Sequence, residues 1–444
     1  MIERVFCGVA QSFSVSLPSS GVPDPAAPAG ASPLPLTKAR TGLYSAASIG
    51  SGAFYAFNNF VLPQLLKAAG AGDLLVGLLS STRSIEGAVI QPTVGALSDR
   101  TRGRLGRRRP YMVVGIPLSA IFFVFAAGRH DVLGLTIGIV LFSIFFNAAA
   151  DPYLALLADI TTIGERGILS GVSTAVQFGS QVAFLGVIAL VAGGGTIPDW
   201  SYLLVAVLLV STFAITVVGV REPAAPREAP DPAGRRGFRS YVDELLLNDQ
   251  AFRYLGAVFV FMVGFSAVLP YLTLYITEDI GETEQVAIAL AAATLLVTAV
   301  SAVVWGKVAD RTGTKPILVI GWAILGLAAV AGVFNRALPE TVAVVLLAGI
   351  GNGAATAVGW PLLASLVPPE KSGVFAGLKA ASESIAIPAS IVVASQIFLP
   401  RFSYRGMFVL LAISIGVALF VLVRYVRPPR PAPRLPLTPD SVVA

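Results

Sequence analysis

The sequence predicts an all-α integral membrane protein with twelve transmembrane helices in two pseudo-symmetric six-helix bundles. Three observations carry that expectation: apolar runs of spanning length, a one-sided distribution of Lys and Arg, and marks that recur in the same order in both halves. The 444 residues are 55% hydrophobic and only 13% charged, too apolar for a water-soluble chain of this size. Only a backbone that satisfies its own hydrogen bonds survives in hydrocarbon, and a helix needs about 20 apolar residues to cross it.

Read in order, the first six runs are 43–66, 74–97, 111–128, 132–158, 168–192 and 202–220; the last six are 254–276, 286–309, 316–334, 342–367, 373–399 and 404–425. The first starts after a stretch of Pro, Ala and Ser (residues 1–40) that reads as a disordered tail, and Val5 to Ala10 is too short for the apolar core of a signal peptide. The second and third flank the basic cluster Gly95-Ala-Leu-Ser-Asp-Arg-Thr-Arg-Gly-Arg-Leu-Gly-Arg-Arg-Arg-Pro110. The fourth holds Pro152 and the tenth Pro361. Residues 221–251 are polar, with four prolines and a run of arginines, and read as the cytosolic linker between bundles at 41–220 and 252–426. The segment 427–444 reads as a second disordered tail.

An even number of spans puts both termini on one side. With cytosolic ends, 24 of the 31 Lys and Arg fall in inside segments, five in outside loops, and two, Arg83 and Lys379, within spans. This is the positive-inside pattern. It accounts for the net charge of +6 by anionic lipid and leaves no reason to invoke nucleic acid. Cys7 and His130 are the only residues of their kinds. An internal disulfide is therefore excluded, and no His/Cys metal site or Ser/His/Asp set is expected; neither is any cofactor. His130, between Arg129 and Asp131, reads as a solvated turn residue.

Asp99-Arg100-Thr101 returns as Asp310-Arg311-Thr312, Pro152-Tyr-Leu-Ala155 as Pro361-Leu-Leu-Ala364, and Glu165-Arg166 as Glu370-Lys371. Order and spacing agree, so the halves read as a duplication with a cavity between them.

Twelve spans, a long central loop and a Gly-x-Leu-x-Asp-Arg loop resemble the major facilitator superfamily over nearly the whole chain. Gln91-Pro-Thr-Val-Gly-Ala-Leu-Ser-Asp99, Gly106-Arg-Arg-Arg-Pro110 and Ala155-Leu-Leu-Ala-Asp159 are similar to the glycoside-pentoside-hexuronide cation symporters, sucrose and maltose proton branch. The resemblance implies a cytosolic gate formed by Gly95, Asp99, Arg100, Arg107 and Arg108 with Gly306, Asp310 and Arg311. Two departures stand out. The first span lacks the histidine of plant sucrose symporters, and the second span has one acid, Glu86, where melibiose-type members have two.

Ionisable groups at mid-membrane normally face a cavity or a partner. Glu86 lies three residues after Arg83, and a carboxylate that exchanges its arginine for a proton is the minimum apparatus of proton coupling. Asp151, beside Pro152 and four residues after Asn147, is the second coupling candidate or part of the inside gate. Lys379 and Glu383 pair at i and i+4, Gln177 and Gln181 share a face, and so do Tyr271 and Tyr275. With Asn58, Asn59, Asn147, Asn352 and Trp360 these form the expected substrate-binding set; taken singly, each amide or tyrosine also serves for interhelical bonding or interface anchoring.

The resulting expectation is a secondary active transporter, not an enzyme. It imports a small carbohydrate with a proton by alternating access, as a monomer in the plasma membrane. A proton-coupled drug or metabolite antiporter and a non-transporting membrane sensor are the alternatives. No Gly-x-x-x-x-Gly-Lys-Ser/Thr sequence is present for direct use of ATP.

Overall fold

The computed structural model describes residues 36–81, 90, 93–94, 97–98, 101, 105–161, 165–191, 200–222, 249–367 and 372–427. Both expected tails, most of the linker and much of the second span lie outside the described residues. With them go Arg83, Glu86, Gly95, Asp99 and Arg100.

Among the described residues the chain is helical throughout, with no strand. Helix α1 (Lys38–Ala56) runs through a π-helical turn (Phe57–Val61) into α2 (Leu62–Ala68), followed by α3 (Asp73–Leu79), α4 (Arg109–Ala127), α5 (Val132–Ile160), α6 (Arg166–Val191) and α7 (Trp200–Gly219). The second half holds α8 (Asp249–Phe265), α9 (Val268–Leu274) with a π turn (Tyr275–Asp279), α10 (Glu284–Thr312), α11 (Thr314–Phe334) and α12 (Leu338–Leu366). It ends with α13 (Ser372–Val393), a π turn (Ala394–Phe398), α14 (Leu399–Phe402) and α15 (Gly406–Tyr425).

Helix α1 begins at Lys38, inside the segment read as tail, because the Thr37 hydroxyl accepts a hydrogen bond from the Arg40 N–H at 3.2 Å and caps the helix. The seventh span is broken at Ser266 and Ala267, between α8 and α9. Pro270 has no N–H to give the Ser266 carbonyl four residues earlier, which loosens the ladder at that point. His130 is exposed in the turn after α4.

Nine helical stretches among the described residues are long and apolar enough to cross a membrane, one of them the continuous run Leu378–Tyr425. The first expected span is not among the nine. Its composition explains the difference: Ser45, Ser48, Ser51, Asn58 and Gln64 are all buried, so α1 and its continuation face protein rather than lipid. Ser45 shares a hydrogen bond with Ser173 at 3.0 Å, and Ser48 with the Tyr153 hydroxyl at 2.9 Å. A Cβ on Gly50 would lie 2.6 Å from the Thr212 hydroxyl, and one on Gly52 would lie 2.4 Å from the Gln177 carbonyl. Helix α1 is thus wedged between α6 and α7 by small residues, the usual way helices approach in a membrane.

Within the first half, α1 packs on α6 and α7, and α4 on α5 and α7; within the second, α12 packs on α10 and α11, and α15 on α8 and α11. The main contact between halves is α6 on α10. Four hydrogen bonds join the halves among the described residues, each at the end remote from Arg107 and Arg108. Gln64 Nε2 donates to Thr277 Oγ1 at 3.2 Å, and Gln285 Nε2 to the Ala189 carbonyl at 2.5 Å. Tyr271 donates to the Asp73 carbonyl at 2.8 Å, and Tyr404 to Asp73 Oδ1 at 2.9 Å.

The tightest glycine contact in the second half sits where α12 meets α10. A Cβ on Gly353 would lie 2.0 Å from Ser301 Oγ and 2.7 Å from the Thr298 carbonyl, whereas one on the exposed Gly416 of α15 meets nothing within 4 Å. Gly353→Ala is expected to lower stability by about 1–3 kcal/mol through overpacking, and Gly416→Ala to leave it unchanged or slightly raised. Thermal midpoints of both variants in detergent micelles check this; a Gly353→Ala protein as stable as wild type would contradict the packing.

Candidate functional site: a two-lobed cavity between the halves

In the π turn of the first span the Leu62 N–H reaches the Phe57 carbonyl five residues back, which inserts an extra residue and places two consecutive asparagines in the widened turn. Such turns recur at functional positions. Asn58 and Asn59 line a cavity of about 460 Å³ together with Tyr55, Ser80, Ser81, Gln177, Gln181, Ser266, Asn352 and Thr356, and with Phe60, Phe178 and Phe265 on its apolar side. Helix α6 presents Gln177 and Gln181 at i and i+4, and α12 does the same with Asn352 and Thr356. Both halves of the chain therefore contribute amides and hydroxyls to one space, and no charged side chain lines it among the described residues.

Its polar wall has hydrogen-bonding capacity to spare. Asn58 Nδ2 donates to the Ser80 carbonyl at 2.6 Å, but Asn58 Oδ1, Ser80 Oγ and Ser266 Oγ are buried without a hydrogen-bond partner. Unsatisfied buried groups are costly, about 1–3 kcal/mol each. Their gathering around one cavity fits a wall that engages a ligand rich in hydroxyls.

A second lobe of about 320 Å³ adjoins the first, sharing Met262, Phe265, Asn352 and Thr356 with it. It is lined by Tyr254, Phe261, Trp322, Trp360, Lys379 and Glu383, among others. Lys379 Nζ and Glu383 Oε1 form a close ion pair one turn apart on α13. Trp360 is 42% exposed, and as it lines the lobe this exposure includes the cavity.

Of the expected substrate set, Asn58, Asn59, Gln177, Gln181 and Asn352 meet in the first lobe, and Asn352, Trp360, Lys379 and Glu383 in the second. Tyr271 and Tyr275 do not line either lobe. Both are fully buried, and their hydroxyls donate to the Asp73 carbonyl and to Asn335 Oδ1; they brace the remote end rather than the cavity. Asn147 is also buried outside the lining, donating to Ser143 Oγ at 3.2 Å, and Asp151 is half-buried on α5 beside Pro152. Sequence reading missed Tyr55, Tyr254, Ser80, Ser266 and Thr356. The i+4 spacing from Asn352 was a signal for Thr356, and Pro270 a weak one for Ser266; nothing local marked Ser80. Among the described residues no group of three or more His, Cys, Asp or Glu is placed to hold a metal ion.

At the basic end, Gly106 has φ +91°, a conformation that suits glycine, and it turns the next two N–H groups toward one carboxylate. Arg107 N and Arg108 N donate to Glu222 Oε2 at 2.9 and 3.0 Å. A Cβ on Gly106 would lie 2.3 Å from that same oxygen. The two side chains then turn to Asp159 at the end of α5, Arg107 at 2.7 Å and Arg108 at 3.2 Å, while Arg108 also bonds Ser98. Loop, α5 and the residues after α7 are clamped by four charges. Asp159 and Glu222 were not among the predicted gate residues. The second-half counterparts are not clamped in this way: Asp310 and Arg311 are exposed, and a Cβ on Gly306 would meet nothing within 4 Å. The reading of the loop glycine as a device for close helix approach therefore does not extend to Gly306.

Burial pushes the Glu222 carboxyl above the usual carboxylate range, the N–H groups of Arg108 and Arg107 opposing it. A carboxyl raised in the folded state stabilises the fold fully below its unfolded pKa and loses that contribution as pH rises through the folded value. Glu222→Gln is neutral throughout, so its thermal midpoint relative to wild type is expected to improve as pH rises from about 4 to about 7. A difference that is flat or reversed across that range contradicts the burial argument. Gly106→Ala is expected to cost about 1–3 kcal/mol at every pH, from strain at positive φ and contact with Glu222.

The comparisons with known proteins agree with this architecture. An uncharacterized symporter of Synechocystis sp. is 32% identical over 153 residues, which is 32% of this chain and 28% of that protein; the match thus spans under a third of the relative. Among solved structures, a bacterial homologue of the human lysosomal transporter Spinster, inward-facing and unoccupied, superposes with a TM-score of 0.64 at 14% identity, covering 89% of this chain and 98% of the other. The nucleoside transporter NupG gives 0.68 at 13% identity over 88% and 100% of the two chains. A peptide transporter POT gives 0.68 at 13% over 87% and 94%. At such identities these likenesses speak for the fold. The family described as MFS/sugar transport protein matches residues 43–398: the chain belongs to that family of the major facilitator superfamily.

Proposed function

We propose that this protein is a secondary active transporter that moves a small carbohydrate together with a proton by alternating access. On this reading twelve spans form two six-helix bundles, 41–220 and 252–426, joined by a cytosolic linker at 221–251. The protein is a monomer in the plasma membrane with both termini in the cytosol. The observation that carries the reading is the amide-lined cavity to which both halves contribute, with Asn58, Asn59, Gln177 and Gln181 opposite Asn352 and Thr356. Amides give and accept hydrogen bonds side by side, as sugar hydroxyls do. A lobe without charged side chains among its described residues suits a neutral polyhydroxylated solute.

Coupling requires a carboxyl whose protonation and substrate occupancy depend on one another. Glu86, tuned by Arg83, is the first choice and Asp151 the second. The basic end takes the cytosolic side by its arginines. Cross-half bonds at the remote end then correspond to an inward-facing state, in which Asp73, Gln64 and Gln285 help to keep the outer side shut. Gly95, Asp99 and Arg100, with Arg107 and Arg108, belong to the gate that closes the other side.

Reconstituted into liposomes, the protein is expected to take up protons on addition of at least one sugar from a panel of mono- and disaccharides. Glu86→Gln is expected to abolish sugar-driven proton flux, and Asn59→Ala to raise the apparent KM about tenfold, the cost of roughly one hydrogen bond to substrate. If no sugar moves protons, or if Glu86→Gln couples normally, the reading fails. Resistance to toxic compounds on overexpression without sugar uptake would favour an antiporter instead.

The outer closure has its own check. In a background with Cys7→Ser, Asn59→Cys is expected to react slowly with a membrane-impermeant thiol reagent added outside. Adding Asp73→Asn or Tyr404→Phe, which weakens the bond between the halves, is expected to speed that reaction several-fold. An unchanged labelling rate would remove Asp73 from the closure.

A further inference from the structure

The two lobes of the cavity differ in chemistry more than a site for one sugar ring requires. The first offers amides and hydroxyls. In the second, the rings of Phe265, Phe261 and Trp322 form a continuous stack, with centroids 5.4 and 4.8 Å apart and planes within 15° and 12° of parallel. Leu318, Val258 and Ala355 add further apolar surface, and Trp360 presents a partly exposed indole.

The polar groups of this lobe are largely engaged with one another. Lys379 pairs with Glu383, and the Tyr254 hydroxyl donates to the Gly359 carbonyl at 2.6 Å. What remains is a nearly neutral apolar chamber with one spare donor, since Trp322 Nε1 is buried without a hydrogen-bond partner. A second sugar ring placed there would lose water from its hydroxyls and find few replacements, at a cost. A flat apolar group loses nothing of the kind and gains contact with parallel rings.

Resting on the carbohydrate reading above, we infer that the second lobe is a subsite for an aglycone. The preferred ligand is a glycoside whose sugar lies among Asn58, Asn59 and Gln177 and whose aromatic or flat apolar substituent lies against Phe265, Phe261 and Trp360. The shared wall of Met262, Phe265, Asn352 and Thr356 makes the lobes contiguous, so one ligand can straddle them. Combined volumes of about 460 and 320 Å³ fall within the range of small-molecule sites.

The test is calorimetric titration of the purified full-length chain with methyl glycosides, phenyl glycosides and disaccharides of glucose, galactose and xylose. For whichever sugar binds, the phenyl glycoside is expected to bind about tenfold or more tightly than the methyl glycoside, the return on burying one aromatic ring, and more tightly than the disaccharide. Trp360→Ala, which removes a wall, and Ala355→Phe, which fills the lobe, are each expected to bring the phenyl-to-methyl ratio close to one while methyl glycoside affinity stays within about twofold. Asn59→Ala is expected to weaken both ligands and preserve the ratio.

If methyl and phenyl glycosides bind equally, or the disaccharide binds best, the aglycone subsite is wrong and the carbohydrate reading stands. A phenyl preference that survives both Trp360→Ala and Ala355→Phe overturns its location in this lobe. If no glycoside binds at all, the carbohydrate reading falls and the subsite falls with it.

Discussion

Hydrocarbon offers no hydrogen bonds, and the arrangement of this chain follows from that. Every polar group within the bilayer must find a partner in the protein or gather where water and ligand can reach it. The first span shows both solutions along one helix. Ser45 and Ser48 are satisfied by Ser173 and Tyr153, while Asn58 and Asn59, farther along, face the cavity. A helix this polar is stable only when surrounded by others, which is why α1 sits against α6 and α7 with glycines at its closest contacts. The hydrophobic effect does little to hold helices together in lipid, so small residues, interdigitated side chains and a few hydrogen bonds carry the packing.

The two ends solve a different problem by different means. At the basic end, charges are abundant and partly hydrated, and the clamp of Arg107, Arg108, Asp159 and Glu222 stays inside the first half. At the remote end, the joints between halves are mostly neutral, made by Gln64, Gln285 and two tyrosines. Neutral hydrogen bonds yield about 0.5–1.5 kcal/mol each. A closure made of several such bonds holds without locking, which is what a surface that must part in every cycle needs. A network of charges within one half can be stronger because it need not break when the halves move apart.

Much of the fold was legible in the sequence because lipid makes composition informative: apolar runs gave span positions to within a few residues for most of the described helices. The exceptions have physical causes. Capping by Thr37 moved the first helix start earlier, and the absent N–H of Pro270 broke the seventh span. The cavity was legible in part. Amides at mid-span are expensive unless used, and that argument picked out Asn58, Asn59, Gln177, Gln181 and Asn352. It failed for Tyr271 and Tyr275, because a tyrosine carries both an apolar ring and a donor and is equally at home in a packed end. It overlooked Ser80 and Ser266, since a serine on a helix ordinarily satisfies itself on the preceding turn. Asp159 and Glu222 escaped for another reason: their role depends on three segments meeting, and spacing along the chain says nothing of that.

The π turn at Phe57–Val61 ties the two functions of the first span together by simple counting. Each residue advances an α-helix by about 100°, so the one extra residue held in that turn sets the rotational phase of everything beyond it. Deleting it would let α1 and α2 run as one regular helix and would swing Gln64 about 100° away from Thr277. Asn58 and Asn59 would at the same time lose the widened turn they share. The phase of the outer closure and the facing of the site are therefore set by the same residue count, so a length change there that leaves composition intact would unsettle both.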